Sequence, residues 1–261
     1  DRVCPYCDTK LGPRAVDRRS PADVGWIPGA RFTTTVILLI NVGLYLATVL
    51  FSMQGEAGGS FMAVDGQTLI LFGAKVPFLI AAGEWWRLVT AGFLHGGLFH
   101  IMMNSWVIYD LGTSVEEPYG TSKYLTLYFA STVFGFVAST WWSPSLSVGA
   151  SAGLFGLIGA MIAAGLRTRT PLGSPLRAHY TQWAIYGLAI GLLPVFRVDN
   201  AAHLGGLAAG FLLAYAAGTR RLVTHWTDKL WTITAVVSVL ITLAAFGLML
   251  RFLLRYAASA S

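Results

Sequence analysis

The stretch Gly149-Ala150-Ser151-Ala152-Gly153-Leu154-Phe155-Gly156-Leu157-Ile158-Gly159 decides how this chain is read. Small residues flank a serine at the head of an apolar helix, so the hydroxyl of Ser151 stays approachable where bulk would cover it. A second stretch, Asn200-Ala-Ala-His203-Leu-Gly-Gly206-Leu-Ala-Ala-Gly210, carries one histidine near the start of another apolar helix. A serine and a histidine on neighbouring helices are the minimum parts of a nucleophile and its general base. The glycines on both stretches omit side chains, which lets two helix backbones approach closely. That spacing is common in helical bundles, but it is also what a Ser–His hydrogen bond of ~2.6–3.2 Å requires.

Composition sets the solvent around these helices. Apolar residues are 55% of the 261-residue chain and charged residues 11%, with a mean hydropathy of +0.63. Water-soluble domains carry roughly 25% charged residues. Crossing a hydrocarbon core of about 30 Å takes ~20 apolar residues per helix, because every backbone polar group must be paired internally. The candidate spans are 32–53, 98–110, 124–140, 151–166, 180–193, 201–217 and 231–254, which makes the chain an all-α, polytopic membrane protein. With the amino terminus in the cytoplasm, only Lys75, Arg87, Arg197, Arg251 and Arg255 fall outside and every other Lys and Arg falls inside. The formal charge of +6 is then a topology signal, and no nucleic-acid partner is expected. In that orientation Ser151 and His203 both lie at the outer ends of their helices.

Residues 1–31 read as a basic cytoplasmic tail. Within it, Cys4-Pro-Tyr-Cys7 has the spacing of half a structural zinc site, and the missing ligands point to an amino-terminal piece not present here. The alternative is a pair of reduced cytosolic thiols. No cleavable signal peptide is expected ahead of the first span. The outer segment 54–97 is too long for a bare connector and is expected to be interfacial or re-entrant. It ends in Glu84-Trp85-Trp86-Arg87, which reads equally as an aromatic belt. His100 and Asn104, at i and i+4, share a helix face; they are either polar glue between helices or part of a site. A zinc site at His95 and His100 is the weaker reading, because i, i+5 does not converge two imidazoles. The segment 111–120 is expected to be a cytoplasmic turn, with Glu116 and Glu117 structural. Asp199 is the only acid near His203. The last span shows no chemistry and is expected to be an appended helix.

Taken together, these segments resemble the rhomboid family of intramembrane serine proteases over residues 32–217. The resemblance is carried by Trp86-Arg87, by His95 to Asn104 as His-x-x-x-x-His-x-x-x-Asn, and by Glu116 to Gly120 as Glu-x-x-x-Gly. It is also carried by Gly149 to Ser151 as Gly-x-Ser, and by Ala202 to Gly210 as Ala-His-x-x-Gly-x-x-x-Gly. It implies a six-helix rhomboid-like core over 32–217, with 218–261 a linker and an additional transmembrane helix. It further implies Ser151 as nucleophile, His203 as base, and an oxyanion hole from the Ser151 N–H, His100 and Asn104. Phe155 would pack on the His203 ring, and His95, Gly149, Trp86, Arg87, Gly206 and Gly210 would support the site. The implied activity is endopeptidase cleavage of transmembrane protein substrates in the lipid bilayer of a bacterial inner membrane, with no cofactor for catalysis; the rival is a catalytically inactive relative that binds membrane-protein clients. Ala152 stands where the family usually has glycine, and its methyl is expected to narrow the pocket and so to bear on rate or substrate choice.

Overall fold

The computed structural model describes residues 2–3, 10–11, 31–55, 58–168, 170–193, 198–218 and 225–260. Cys4 and Cys7 of the zinc half-site, and Pro194 and Arg197 beyond the fifth span, lie outside the described residues. In chain order, β1 (Arg2–Val3) pairs antiparallel with β2 (Lys10–Leu11). The helices that follow are α1 (Arg31–Gln54), α2 (Gly66–Leu71), α3 (Pro77–Ala81), α4 (Arg87–Thr90), α5 (Leu98–Tyr119), α6 (Thr121–Trp142), α7 (Ser151–Arg167), α8 (Gly173–Ile190), α9 (Asn200–Ala217) and α10 (His225–Ala260). A 3₁₀ turn, Ala91–Phe93, joins α4 to the approach of α5. Every span expected from the sequence forms a helix, the fifth ending at Ile190, and the short two-stranded ribbon and an isolated bridge between Lys75 and Ser147 are the departures from all-α among the described residues.

The bundle is organised around α7. Its residues are buried almost without interruption from Ala152 to Gly165, and it packs most extensively on α9 and then on α8, α6 and α5. A helix apolar on all sides belongs at the centre. At ~1.5 Å per residue the 17 residues of α7 span about 26 Å, less than the ~30 Å of a hydrocarbon core. With Arg167 at one surface, Ser151 therefore begins below the other. On the bundle exterior Leu39, Leu50, Leu212, Leu240 and Leu243 are all more than half exposed, an apolar outside suited to lipid. By length and composition α1 and α10 are each able to cross a membrane; buried polar residues lie on α1, as Thr34, Asn41 and Thr48, and on the helices between, as Asn104, Ser131, Thr132 and Ser139.

The end of α5 corrects the sequence reading. Helix continues through most of the segment 111–120, and the turn contracts to Gly120, whose φ of 82° lies in the left-handed region. Gly112 serves packing there, since a Cβ on it would lie 2.4 Å from the Thr34 hydroxyl oxygen on α1. Glu116 accepts hydrogen bonds from the hydroxyls of Thr33 (3.1 Å) and Thr121 (2.7 Å), tying together the starts of α1 and α6 at the end remote from Ser151. The last helix is more than appended: Ala245, Phe246, Met249 and Phe252 of α10 share a cluster with Trp86, Val89 and Phe93 of the outer segment.

Candidate active site

Ser151 opens α7 because Gly149 turns the chain into it. Gly149 has φ of 133°, a conformation that favours glycine, and its N–H donates to the Ala91 carbonyl at 2.9 Å. His203 lies one turn into α9, whose first turn is capped by the Asp199 carboxylate accepting from the Ala202 N–H at 3.0 Å. The two helices meet on glycine. A Cβ on Gly206 would lie 2.1 Å from the Ala152 carbonyl oxygen, and one on Gly210 would lie 2.0 Å from that of Gly156. Because Ala152 follows Ser151 and Gly206 is one turn from His203, this close crossing brings the two functional groups together. His203 Nε2 is 2.9 Å from Ser151 Oγ.

The imidazole is held by packing. Phe155 stacks on the His203 ring with centroids 4.0 Å apart and planes 14° apart. Gly187 of α8 makes room for Phe155, since a Cβ there would meet the ring tip at 2.6 Å. The sequence reading did not single out Gly187, and no local pattern marks it. His203 Nδ1 is buried without a hydrogen-bond partner among the described residues. Asp199 does not orient it, being engaged with the Ala202 N–H and the Ser139 hydroxyl.

A second histidine faces the same point. The Gly96 N–H donates to His100 Nδ1 at 3.4 Å, which requires that nitrogen to carry a lone pair and puts the proton of the neutral ring on Nε2. A Cβ on Gly149 would lie 2.7 Å from His100 Nε2 and 3.6 Å from Ser151 Oγ, so an N–H donor borders the space beside the serine. Asn104 Nδ2 donates one of its hydrogens to the His100 carbonyl at 3.0 Å, which secures it one turn below. His95 is fully buried and meets His100 edge to face, with ring centroids 5.0 Å apart. Among the described residues no group of three or more His, Cys, Asp or Glu side chains converges as a metal site.

The Trp85-Trp86-Arg87 run divides. Trp85 is exposed, as a belt residue would be, while Trp86 and Arg87 are buried. Arg87 donates to Glu84 at 2.5 Å, to the Ile70 carbonyl at 2.6 Å and to the Ala74 carbonyl at 3.2 Å, and lies over the Trp86 ring at 4.6 Å. It is the hub of the outer segment. The Ala152 methyl does not line the space beside Ser151: it is fully buried with Ala91, Phe136 and Ala202, where Gly135 leaves room for it. The expectation of a narrowed pocket is corrected accordingly.

Fold and site together define a helical membrane protein with a serine and an imidazole hydrogen-bonded below one face of its bundle. The rhomboid domain profile matches residues 82–220. The chain is 38% identical over 173 residues to the rhomboid protease GluP of Bacillus subtilis (strain 168), covering 66% of this chain and 33% of that protein. It is 34% identical over 210 residues to the rhomboid-like protease 2 of Toxoplasma gondii, covering 74% of this chain and 70% of that one. Identity is 37% over 169 residues to the RHOMBOID-like protein 6, mitochondrial, of Arabidopsis thaliana, covering 63% of this chain and 54% of that protein. This chain belongs to the rhomboid family, whose members are multi-pass membrane proteins. It spans about a third of the Bacillus relative and just over half of the Arabidopsis one.

Proposed function

We propose that this chain is an intramembrane serine endopeptidase that hydrolyses peptide bonds in or near the transmembrane helices of other membrane proteins. The observation that carries the reading is the 2.9 Å contact between Ser151 Oγ and His203 Nε2 at the head of a buried helix. A serine hydroxyl is a weak nucleophile until a base takes its proton. In this reading His203 Nε2 takes that proton as Oγ attacks the scissile carbonyl carbon, and the protonated imidazole then gives it to the leaving amine. Water, deprotonated in turn by His203, releases the acyl group from Ser151. The developing oxyanion is met by the Ser151 backbone N–H, by His100 Nε2–H and by the free N–H of Asn104; in other enzymes each such donor is worth ~10²–10³ in rate. These steps need no cofactor beyond the side chains named. A zinc ion held through Cys4 and Cys7 would be structural.

The family and the names of the Bacillus and Toxoplasma relatives support this reading. The distribution of Lys and Arg supports an amino terminus in the cytoplasm and a Ser151 end facing outward; the proposed location is a bacterial inner membrane. The proposed division is a cytoplasmic tail over 1–31, a catalytic core over 32–217 and an added helix over 218–261. Proteoliposomes carrying a single-span reporter test the activity: the parent protein cuts it, and Ser151→Ala or His203→Ala does not. A parent protein that binds the reporter without cutting it would instead be a catalytically inactive family member.

A further inference from the structure

Lys75 lies between α2 and α3 in the outer segment and is completely buried. A buried ammonium costs free energy unless it is fully bonded, so the partners it has found matter. Its Nζ donates to the Ser143 carbonyl at 2.6 Å and to the Ser145 carbonyl at 3.0 Å. Its backbone makes a two-way bridge with Ser147, N–H to carbonyl at 3.0 Å and carbonyl to N–H at 3.1 Å. Three alternate residues of the extended stretch that delivers Ser151 thus hang on one residue. Gly149, next in the alternation, is fixed to Ala91.

The clamp also reaches the other half of the site: Ser143 donates its N–H to the Ser139 carbonyl at 2.8 Å, and the Ser139 hydroxyl donates to the Asp199 carboxylate. Burial pushes the Lys75 ammonium below the usual lysine range, and the charge of Asp199 acts in the opposite direction. Asp199 caps α9 through the Ala202 N–H, and its carbonyl accepts the His203 N–H at 3.1 Å. Upstream, Arg87 holds the Ala74 carbonyl, so the residue before Lys75 is itself fixed. An apolar side chain at 75 would leave two loop carbonyls without their donor, one of them on Ser143 at the end of α6.

We propose that Lys75 is a positioning residue that registers the two halves of the Ser151–His203 pair, clamping the stretch before Ser151 at the end of α6, whose Ser139 holds the carboxylate that caps the helix of His203. Its consequence for rate rests on the proposed protease reading; its consequence for backbone order does not.

The test compares the parent with Lys75→Met and Lys75→Arg in detergent by two readouts. Hydrogen exchange is followed at the amides of Ser147, Gly149, Ala202 and His203. The limiting rate of modification by a fluorophosphonate is measured at saturating reagent. Lys75→Met is expected to speed exchange in both segments and to lower the limiting rate about tenfold to a hundredfold, the size of effect that ångström-scale misplacement produces, with the half-saturating concentration unchanged. Lys75→Arg, which keeps charge and donors, recovers most of both. If Lys75→Met does not fold, Lys75→Gln, which retains one donor group, takes its place. Exchange raised only in 143–149, or a limiting rate within about twofold of the parent beside normal exchange at Ala202 and His203, overturns the proposal. Exchange raised in both segments of a protein whose parent form never reacts with the reagent keeps the positioning role and removes the protease reading.

Discussion

Gly206→Ala adds one methyl at the tightest point of the α7–α9 crossing. Its Cβ would lie 2.1 Å from the Ala152 carbonyl oxygen and 2.9 Å from the carbonyl carbon, more than about 1 Å inside ordinary contact. Both neighbours are helix backbone, so no rotamer change relieves the clash and α9 must move off α7. The Ser151–His203 contact, now 2.9 Å, would lengthen to roughly 4 Å, outside hydrogen-bond range. A misplacement of that size costs on the order of 10² in rate, and the overpacking itself costs ~1–3 kcal/mol of stability. Reporter cleavage in liposomes and thermal unfolding in the same detergent measure the two effects. Gly247→Ala on α10 is the control, since a Cβ there has nothing within 4 Å; it should keep parent activity. A folded Gly206→Ala protein that cuts at the parent rate would refute the claim that glycine contact sets the site geometry.

Two further outcomes follow from the geometry. Phe155→Leu keeps apolar bulk but loses the flat face stacked on His203, so turnover should fall about tenfold while KM and melting temperature change little; a parent-like turnover would show that the stacking does not hold the imidazole. For the Asp65 carboxyl, burial acts to raise the pKa, but hydrogen bonds from Ser52 and Thr68 outweigh it and hold the group below its usual 3.8. A carboxylate lowered in the folded state contributes stability that is complete above its unfolded value and is lost as pH falls through the folded one. Melting temperature should therefore drop on acidification below about pH 4, and drop less in Asp65→Asn, which retains the cap of α2 without the charge; equal drops would remove Asp65 from the account.

The sequence located the helices and the Ser151–His203 pair well because their signals are local: apolar runs, and glycines placed around one serine and one histidine. It misjudged α5, where glycine, threonine and proline imitate a turn. Gly112 is glycine because Thr34 of another helix lies against it, and helix propensity carries no record of that neighbour. Trp86 looked like its exposed neighbour Trp85 and differs through its contacts with Phe252 of α10, with Arg87 and with Gly73 of the outer segment. Lys75 was counted as one outside charge in a topology argument. Its partners are carbonyls near residue 145, and a backbone oxygen leaves no mark in an amino-acid sequence. Ala152 was misread for a related reason: which way a methyl points at the start of a helix depends on what the helix is packed against.

The most direct measurement is the site of covalent modification by a fluorophosphonate, mapped by mass spectrometry on the intact protein in detergent. The account predicts a single adduct on Ser151 in the parent protein, lost when His203 is replaced by Ala although the serine remains. An adduct elsewhere, or one on Ser151 that forms equally fast without the imidazole, would contradict it.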